Sequence, residues 1–281
     1  SAVHSAMEGT RIMGDFFISA EELSHHLATA EPVRIFDVRR PPAIQPESRF
    51  LPGSRWRNHI EVLDWPKGMS RENLIVLNCM HGHNVSQIAT ALLRQQGYNA
   101  RALAGGVDGW IEAGLPTIGQ SSLCPVDAKP GIWVTRINPG TDRVACTWMI
   151  SRFIDPDAVI HFAEAEWVID IAEELGGIAF DTPGAVIEHD GELCSFDTLL
   201  REFGLNDPAL AQLAVIVRSA DTGRNDLAPE ASGLLSIMLG NSILGKTDHD
   251  VMRLGFPVYD ALYARLNLSG GETHGWQPMP D

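Results

Sequence analysis

Positive charge is scarce in this chain. Lys and Arg together number 21 against 36 Asp and Glu, a formal net charge of −15 with His neutral. A nucleic-acid-binding face needs a cationic surface to displace counterions from phosphate, and no basic run supplies one, so no nucleic-acid partner is expected. The same deficit disfavours an anionic membrane surface. Cysteine is also sparse: the four, at 79, 124, 146 and 194, are too few and too dispersed for a disulfide framework. Free thiols in a reducing, cytoplasmic setting are expected instead. No apolar run approaches the roughly 18–20 residues of a membrane span. No basic segment leads into an apolar stretch near the start, so no secretory signal is expected.

What is present reads as ordinary globular protein, with 44% hydrophobic and 20% charged residues in 281. That length lies where single cores tend to split, which predicts two domains. The seam falls where Gly119 to Gly131 reads GQSSLCPVDAKPG, rich in Gly, Ser and Pro and without periodicity. The expected layout is a domain over 14–119, a linker over 120–131, a second domain over 132–268 and a flexible tail over 269–281. In the first half, Val33 to Val38 and Leu74 to Asn78 read as buried strands, and Ala100 to Ala104 as a further one. Val85, Ile88, Ala89, Leu92 and Leu93 recur at helical spacing, and Gly97 closes that helix. Strand–helix–strand alternation predicts an α/β domain, a parallel sheet flanked by helices. The second half reads as mainly helical α+β. It has short strands at Val159 to Phe162 and Ile178 to Phe180, and a helical stripe from Trp167 to Leu175. Helices are predicted at Phe196 to Phe203, Pro208 to Ala220, Pro229 to Leu239 and Val258 to Leu266.

The first half places a thiol where chemistry is favoured. Leu74 to Asn78 runs into Cys79-Met80-His81-Gly82-His83-Asn84, and a helix begins near Val85. Backbone N–H groups of such a loop, with the helix N-terminus behind them, favour an anion. A sulfur at the loop's start is then stabilised as the thiolate, the nucleophilic form. The alternative is a small buried hydrophobe at a strand end. His81 and His83 read either as groups that favour the thiolate and orient an anion or as plain exposed loop residues.

These residues resemble a rhodanese domain. The match is carried by Asp37-Val38-Arg39, Leu51-Pro52-Gly53-Ser54, Cys79 with Gly82, Gly105-Gly106-Val107-Asp108-Gly109-Trp110, and Ala113-Gly114-Leu115-Pro116. The resemblance implies sulfur transfer from thiosulfate or a persulfide, with Cys79 as the sulfur carrier and Met80 to Asn84 as its substrate loop. A six-residue loop from Cys79 to Asn84 is the register of sulfur transfer rather than of phosphate or arsenate chemistry. Basic residues common in active members are replaced by Met80 and Asn84, which predicts weak use of thiosulfate and preference for a small-molecule persulfide or a protein donor. Arg39 beside Asp37 reads as a scaffold ion pair.

In the second half, polar residues gather in three segments: Trp133 to Asp155, Phe180 to Asp197, and Arg218 to Asp226. His189 and Glu192, three apart, would share a face of a helical turn. With Asp221 they make a candidate set for iron, manganese or zinc, with Arg143 or Arg218 holding an oxyanion. The competing reading is a helix cap with solvated acids. Arg136, Arg143 and Arg152 read either as an anion cradle or as salt bridges to Asp142 and Asp155. His249 is a possible remote ligand. Cys146 reads as core, and Cys194 as the better second thiol.

This half resembles the C-terminal domain of ChrB-type chromate-resistance proteins. The residues are Asp142-Arg-Val-Ala-Cys146, Arg152-Phe-Ile-Asp155, Gly191-Glu-Leu-Cys194-Ser-Phe-Asp197, Ala220-Asp-Thr222 with Asp226-Leu-Ala-Pro229, and Val258-Tyr-Asp-Ala-Leu-Tyr263. Together the two resemblances imply a sulfurtransferase-type protein linked to chromate or metal stress. It would use a sulfur donor, a thiol acceptor and, in the second domain, chromate or another oxyanion. The alternative is a chromate- or metal-responsive binding protein with a weakly active rhodanese module.

Overall fold

The computed structural model describes residues 16–127 and 131–268; the expected tail over 269–281 lies outside the described residues. The first half runs β1 (Phe17–Ile18), α1 (Ala20–Ala28), β2 (Val33–Asp37), β3 (Ser54–Trp56), β4 (Leu74–Asn78), α2 (Asn84–Gln95), β5 (Ala100–Leu103) and α3 (Gly106–Glu112). All pairings are parallel, in the order β1-β5-β4-β2-β3. Every residue of β4, the central strand, is buried, which is why it reads as an unbroken apolar run. Its side chains alternate between faces. Leu74 and Val76 join the core under α1 and α3, with Leu23, Val107 and Trp110. Ile75 and Leu77 join the opposite core, with Ala89 and Leu93 of α2. Cys79 keeps the Ile75–Leu77 parity and belongs to that second core, so strand alternation alone carries its sulfur to the side covered by α2.

The second half runs β6 (Ile132–Arg136), α4 (Thr141–Met149) with a wider π-turn over Ile150–Ile154, β7 (Val159–Ala163), α5 (Val168–Leu175), β8 (Ile178–Ala179), α6 (Ser195–Glu202), α7 (Pro208–Asp221), α8 (Ala231–Leu244) and α9 (Asp248–Leu268). Its sheet has three parallel strands in the order β7-β6-β8. Val134 of β6 faces α5, in a small core with Val168 and Ala172. Trp133 faces the other way, into the large helical core with Trp148, Phe153 and Tyr259. The helical excess expected from sequence is present, and the sheet is built by strand–helix–strand crossovers. Several boundaries differ. α8 runs on to Leu244, past the expected Leu239. β6 and the start of α4 were read as polar clusters, because Arg136, Asp142 and Arg143 mask the apolar residues between them. α9 begins at Asp248, ten residues before the expected Val258, and carries Pro257 in its interior.

The two halves are packed together. Phe50, Ile118 and Cys124 belong to the large core of the second half, so the expected linker is anchored in that core at Cys124. Gly53 donates to the Phe153 carbonyl at 2.7 Å. A Cβ at Gly53, whose φ is +73°, would lie 2.8 Å from the Arg152 carbonyl oxygen, so only glycine allows this approach. Arg55 donates to the Pro125 carbonyl at 3.1 Å, and Arg34 pairs with Asp157.

Candidate functional site

Cys79 follows β4 directly and its side chain is 7% exposed. Its Sγ lies 3.1 Å from Ser86 Oγ, and that hydroxyl also donates to the His83 carbonyl at 3.1 Å. The loop is shaped by glycine. Gly82 has φ +69°, and a Cβ there would lie 2.6 Å from the Leu103 carbonyl oxygen and 2.8 Å from the amide nitrogens of Gly105 and Gly106. A Cβ on Gly106 would collide with the Cys79 carbonyl. This closeness lets α3 cap the loop from below: Val107 N–H donates to Cys79 O at 2.9 Å and Asp108 N–H to Met80 O at 3.0 Å. The Gly-Gly pair therefore holds the nucleophile's backbone. α2 begins at Asn84, one residue earlier than expected, with His83 as its cap. His81 and His83 are exposed, and His81 Nδ1 lies 2.6 Å from Asp108 Oδ2. Asp37 and Arg39, both buried, form a bidentate pair, and Asn78 adds a bond to Asp37. Burial pushes the Asp37 carboxyl up, opposed by Arg39.

The second polar centre is built from four elements. Asp142, near the start of α4, is 2% exposed. It accepts Ser195 N–H at 2.9 Å and Phe196 N–H at 3.1 Å, the first amides of α6, so a helix N-terminus stabilises its charge. Asp181, with φ +49°, accepts Ser195 Oγ at 2.9 Å. Its other oxygen pairs with Arg143 at 2.8 Å and Arg136 at 3.4 Å. His189 Nε2 faces Asp142 Oδ2 at 3.2 Å, Asp181 Oδ1 at 3.6 Å and Asp221 Oδ2 at 3.9 Å. The hydrogen bond with Asp142 raises the His189 imidazole above its ordinary range, against partial desolvation. Burial, then the Asp142 charge, raises the Asp221 carboxyl. Burial lowers the Arg143 guanidinium, opposed by Asp181. Asp221 lines a cleft of about 900 Å³ between α8, α9 and the β6–α4 loop; His189 and Asp181 line a smaller one of about 240 Å³ with Arg136.

Several expected residues sit elsewhere. Glu192 is exposed, in the turn closed by the Asp190–Leu193 bridge. His189 and Glu192 thus share no helical face, because the helix begins only at Ser195. Arg218 pairs with Asp197 at 2.6 Å and Arg143 with Asp181, so neither is an uncommitted anion ligand. Arg136 and Arg143 converge on Asp181 rather than on Asp142 or Asp155, and Arg152 pairs with Asp260 at 3.1 Å. His249 is bonded to the Ile160 carbonyl at 3.0 Å, away from the cluster. Cys194 is fully buried as the cap of α6, 3.2 Å from Asp197 Oδ2. Burial and the charges of Asp142 and Asp197 push its thiol far up, and burial with Asp142 does the same to Cys146. Sequence reasoning missed Ser86, Asp108 and the central role of Asp142. The one local signal for Asp142 was its position just after a strand and a Pro-Gly turn.

Residues 19–113 match the rhodanese-like domain family, and residues 133–266 match the ChrB C-terminal domain. The chain joins a rhodanese-like domain to a ChrB C-terminal domain. Protein ChrB of Cupriavidus metallidurans is 36% identical over 138 residues, 48% of this chain and 40% of that protein; the match spans well under half of that relative. Among solved structures, a rhodanese-related protein from Thermoplasma volcanium is 29% identical, with a TM-score of 0.31, covering 36% of this chain and 95% of its own. The Alr3790 protein from Anabaena sp. is 25% identical, with a TM-score of 0.33, covering 36% and 80%. Cys79 lies within the rhodanese-like match. Asp142, Asp181, His189 and Asp221 lie within the ChrB match. No helix among the described residues is long and apolar enough to cross a membrane.

Proposed function

We propose that the chain is a sulfurtransferase-type protein tied to chromate or metal stress, carrying sulfane sulfur as a persulfide on Cys79. The observation that carries this reading is the seat of Cys79: at the end of the central strand, beneath the start of α2, with its carbonyl tied to α3 and its sulfur beside the Ser86 hydroxyl. In this reading the Cys79 thiolate attacks the outer sulfur of a donor. A Cys79 S–S bond forms, the donor's S–S bond breaks, and sulfite or a donor thiolate leaves. An acceptor thiolate then attacks the carried sulfur and releases the Cys79 thiolate. Ser86 Oγ is within reach to donate to either sulfur anion by turning its proton away from the His83 carbonyl. The acceptor comes from outside the chain, because Cys146 and Cys194 are buried thiols held in the neutral form. Met80 and Asn84 in place of basic residues, with exposed His81 and His83 as the loop's remaining titratable groups, favour a donor with one negative charge over a dianion. A reducing cytoplasm suits four unbridged cysteines. Treatment of the full chain with a small-molecule persulfide, followed by mass spectrometry, tests the reading: one added sulfur on the peptide containing Cys79 supports it, and an unmodified Cys79 overturns it.

The second reading, a chromate- or metal-responsive binding protein with a weakly active rhodanese module, is favoured by the Asp142–His189–Asp221 grouping.

A further inference from the structure

We infer that Asp142, His189 and Asp221 form a binding site for one divalent cation of borderline hardness, Mn²⁺, Fe²⁺ or Zn²⁺. The inference gives the second reading its ligand and stands independently of sulfur transfer at Cys79. One donor atom from each residue lies within 4.8 Å of the others. Metal–ligand bonds of about 2.0–2.2 Å place neighbouring donors roughly 2.8–3.6 Å apart at octahedral or tetrahedral angles. The separations of 3.2 Å to Asp142 and 3.9 Å to Asp221 from His189 Nε2 need only a small contraction at Asp221, which lies at the end of α7.

The observation beyond the acids themselves is where the imidazole points. A single Nε2 faces three carboxylate oxygens, and a proton on that nitrogen makes one directed hydrogen bond. A cation could take Nε2 together with one oxygen each of Asp142 and Asp221, leaving Asp181 to Ser195 and the two arginines. The charge count agrees. Both nearby arginines, Arg136 and Arg143, are committed to Asp181. Among the described residues no lysine or arginine pairs with Asp142 or Asp221, although Asp142 is 2% exposed. Beyond the two α6 amides that Asp142 accepts, Asp142 and Asp221 therefore share the one His189 imidazole.

The surroundings also orient the ligands, as outer contacts do in metal sites. Asp142 is held by the Ser195 and Phe196 amides. Asp221 accepts the Asp142 N–H at 3.3 Å. An imidazole with two carboxylates suits manganese, iron and zinc and disfavours copper(I), which seeks sulfur. The ion would be reached through the 900 Å³ cleft on the Asp221 side, leaving its remaining positions to water or to an oxygen ligand. Glu192, exposed in its turn, takes no part.

The test uses the untagged full chain, stripped with a chelator and titrated with Mn²⁺, Fe²⁺ under anaerobic conditions, and Zn²⁺, with bound metal counted directly. The expected result is one ion per chain for at least one of these metals, with affinity reduced about tenfold or more in His189→Ala and in Asp221→Asn and unchanged in Glu192→Ala. The His189 side chain is 45% exposed, so its loss leaves the core intact, and thermal melting verifies that each variant is folded. Parent protein that takes up none of the three metals overturns the site. So does uptake that is equal in the parent, His189→Ala and Asp221→Asn. Persulfide loading of Cys79, measured on the same samples, reports separately on the sulfur reading.

Discussion

Cys79 lies a loop ahead of α2 and Cys194 immediately ahead of α6, and their sulfurs meet different neighbours. Cys79 leads through a short loop of glycine and histidine into α2, with a hydroxyl at its sulfur and no carboxylate within hydrogen-bonding distance of that sulfur among the described residues. Cys194 caps α6 with Asp197 at 3.2 Å and the charge of Asp142 nearby. A helix N-terminus favours a sulfur anion only if nothing anionic has already claimed its amides. At α6 the Asp142 carboxylate has claimed the Ser195 and Phe196 amides, and the thiol stays protonated. Position next to a helix is therefore not enough to make a nucleophile; what already occupies the helix's first amides matters as well.

The largest effect that could break this contrast is removal of the thiol itself. Cys79→Ser is expected to abolish persulfide formation, and Cys124→Ser to leave it intact; sulfur uptake measured after donor treatment decides. Full uptake in Cys79→Ser would falsify the proposed chemistry. Next comes the glycine wedge. Gly82→Ala must adopt a positive φ and push aside three backbone atoms, so it should destabilise the chain by about 3 kcal/mol, read as a shift in the denaturation midpoint. A comparison of thiol reactivity sharpens the same point. In native protein at mildly alkaline pH, an alkylating reagent should label Cys79 roughly a hundredfold faster than Cys146 or Cys194, whose burial and raised thiols withhold the thiolate; peptide mapping over time checks it, and equal rates would erase the distinction. Asp142→Ala leaves two amides of α6 without their acceptor. It is expected to lower stability by about 2 kcal/mol in metal-free protein, measured by chemical denaturation. The smallest effect is a gain. Asn84 is exposed at the start of α2, and Asn84→Arg should raise thiosulfate turnover about fivefold by adding a charge-assisted hydrogen bond. An unchanged rate in a folded variant would show that charge at the loop does not limit thiosulfate use.

What was legible in the residues was local. β4 reads correctly because both of its faces are buried and the four residues before Asn78 are apolar. α2 reads correctly because Val85, Ala89, Leu92 and Leu93 fall at helical spacing against that strand. Cys79 is found because its whole setting, strand, loop and helix start, lies within a dozen consecutive residues. Pro257 misled the reading of α9, since a proline usually marks a helix boundary, whereas here the helix continues through it, with Val251, Tyr259 and Tyr263 buried against the core.

The acidic centre shows the limit. His189 and Asp221 stand in one cluster, but the three-residue spacing of Glu192 from His189 describes a helix that begins only at Ser195. Asp142, the residue that completes the group, lies 47 positions before His189 and 79 before Asp221. The sequence alone determined the central strand, the helix behind it, and the thiol between them, because hydrophobic alternation and helical spacing act over neighbouring residues. Only the tertiary structure decided which carboxylates meet one imidazole, which arginines are already paired, and which thiols have a carboxylate against them. Those outcomes depend on how α4, α6, α7 and the turn carrying His189 converge, and the burial that draws them together acts between residues far apart in the chain.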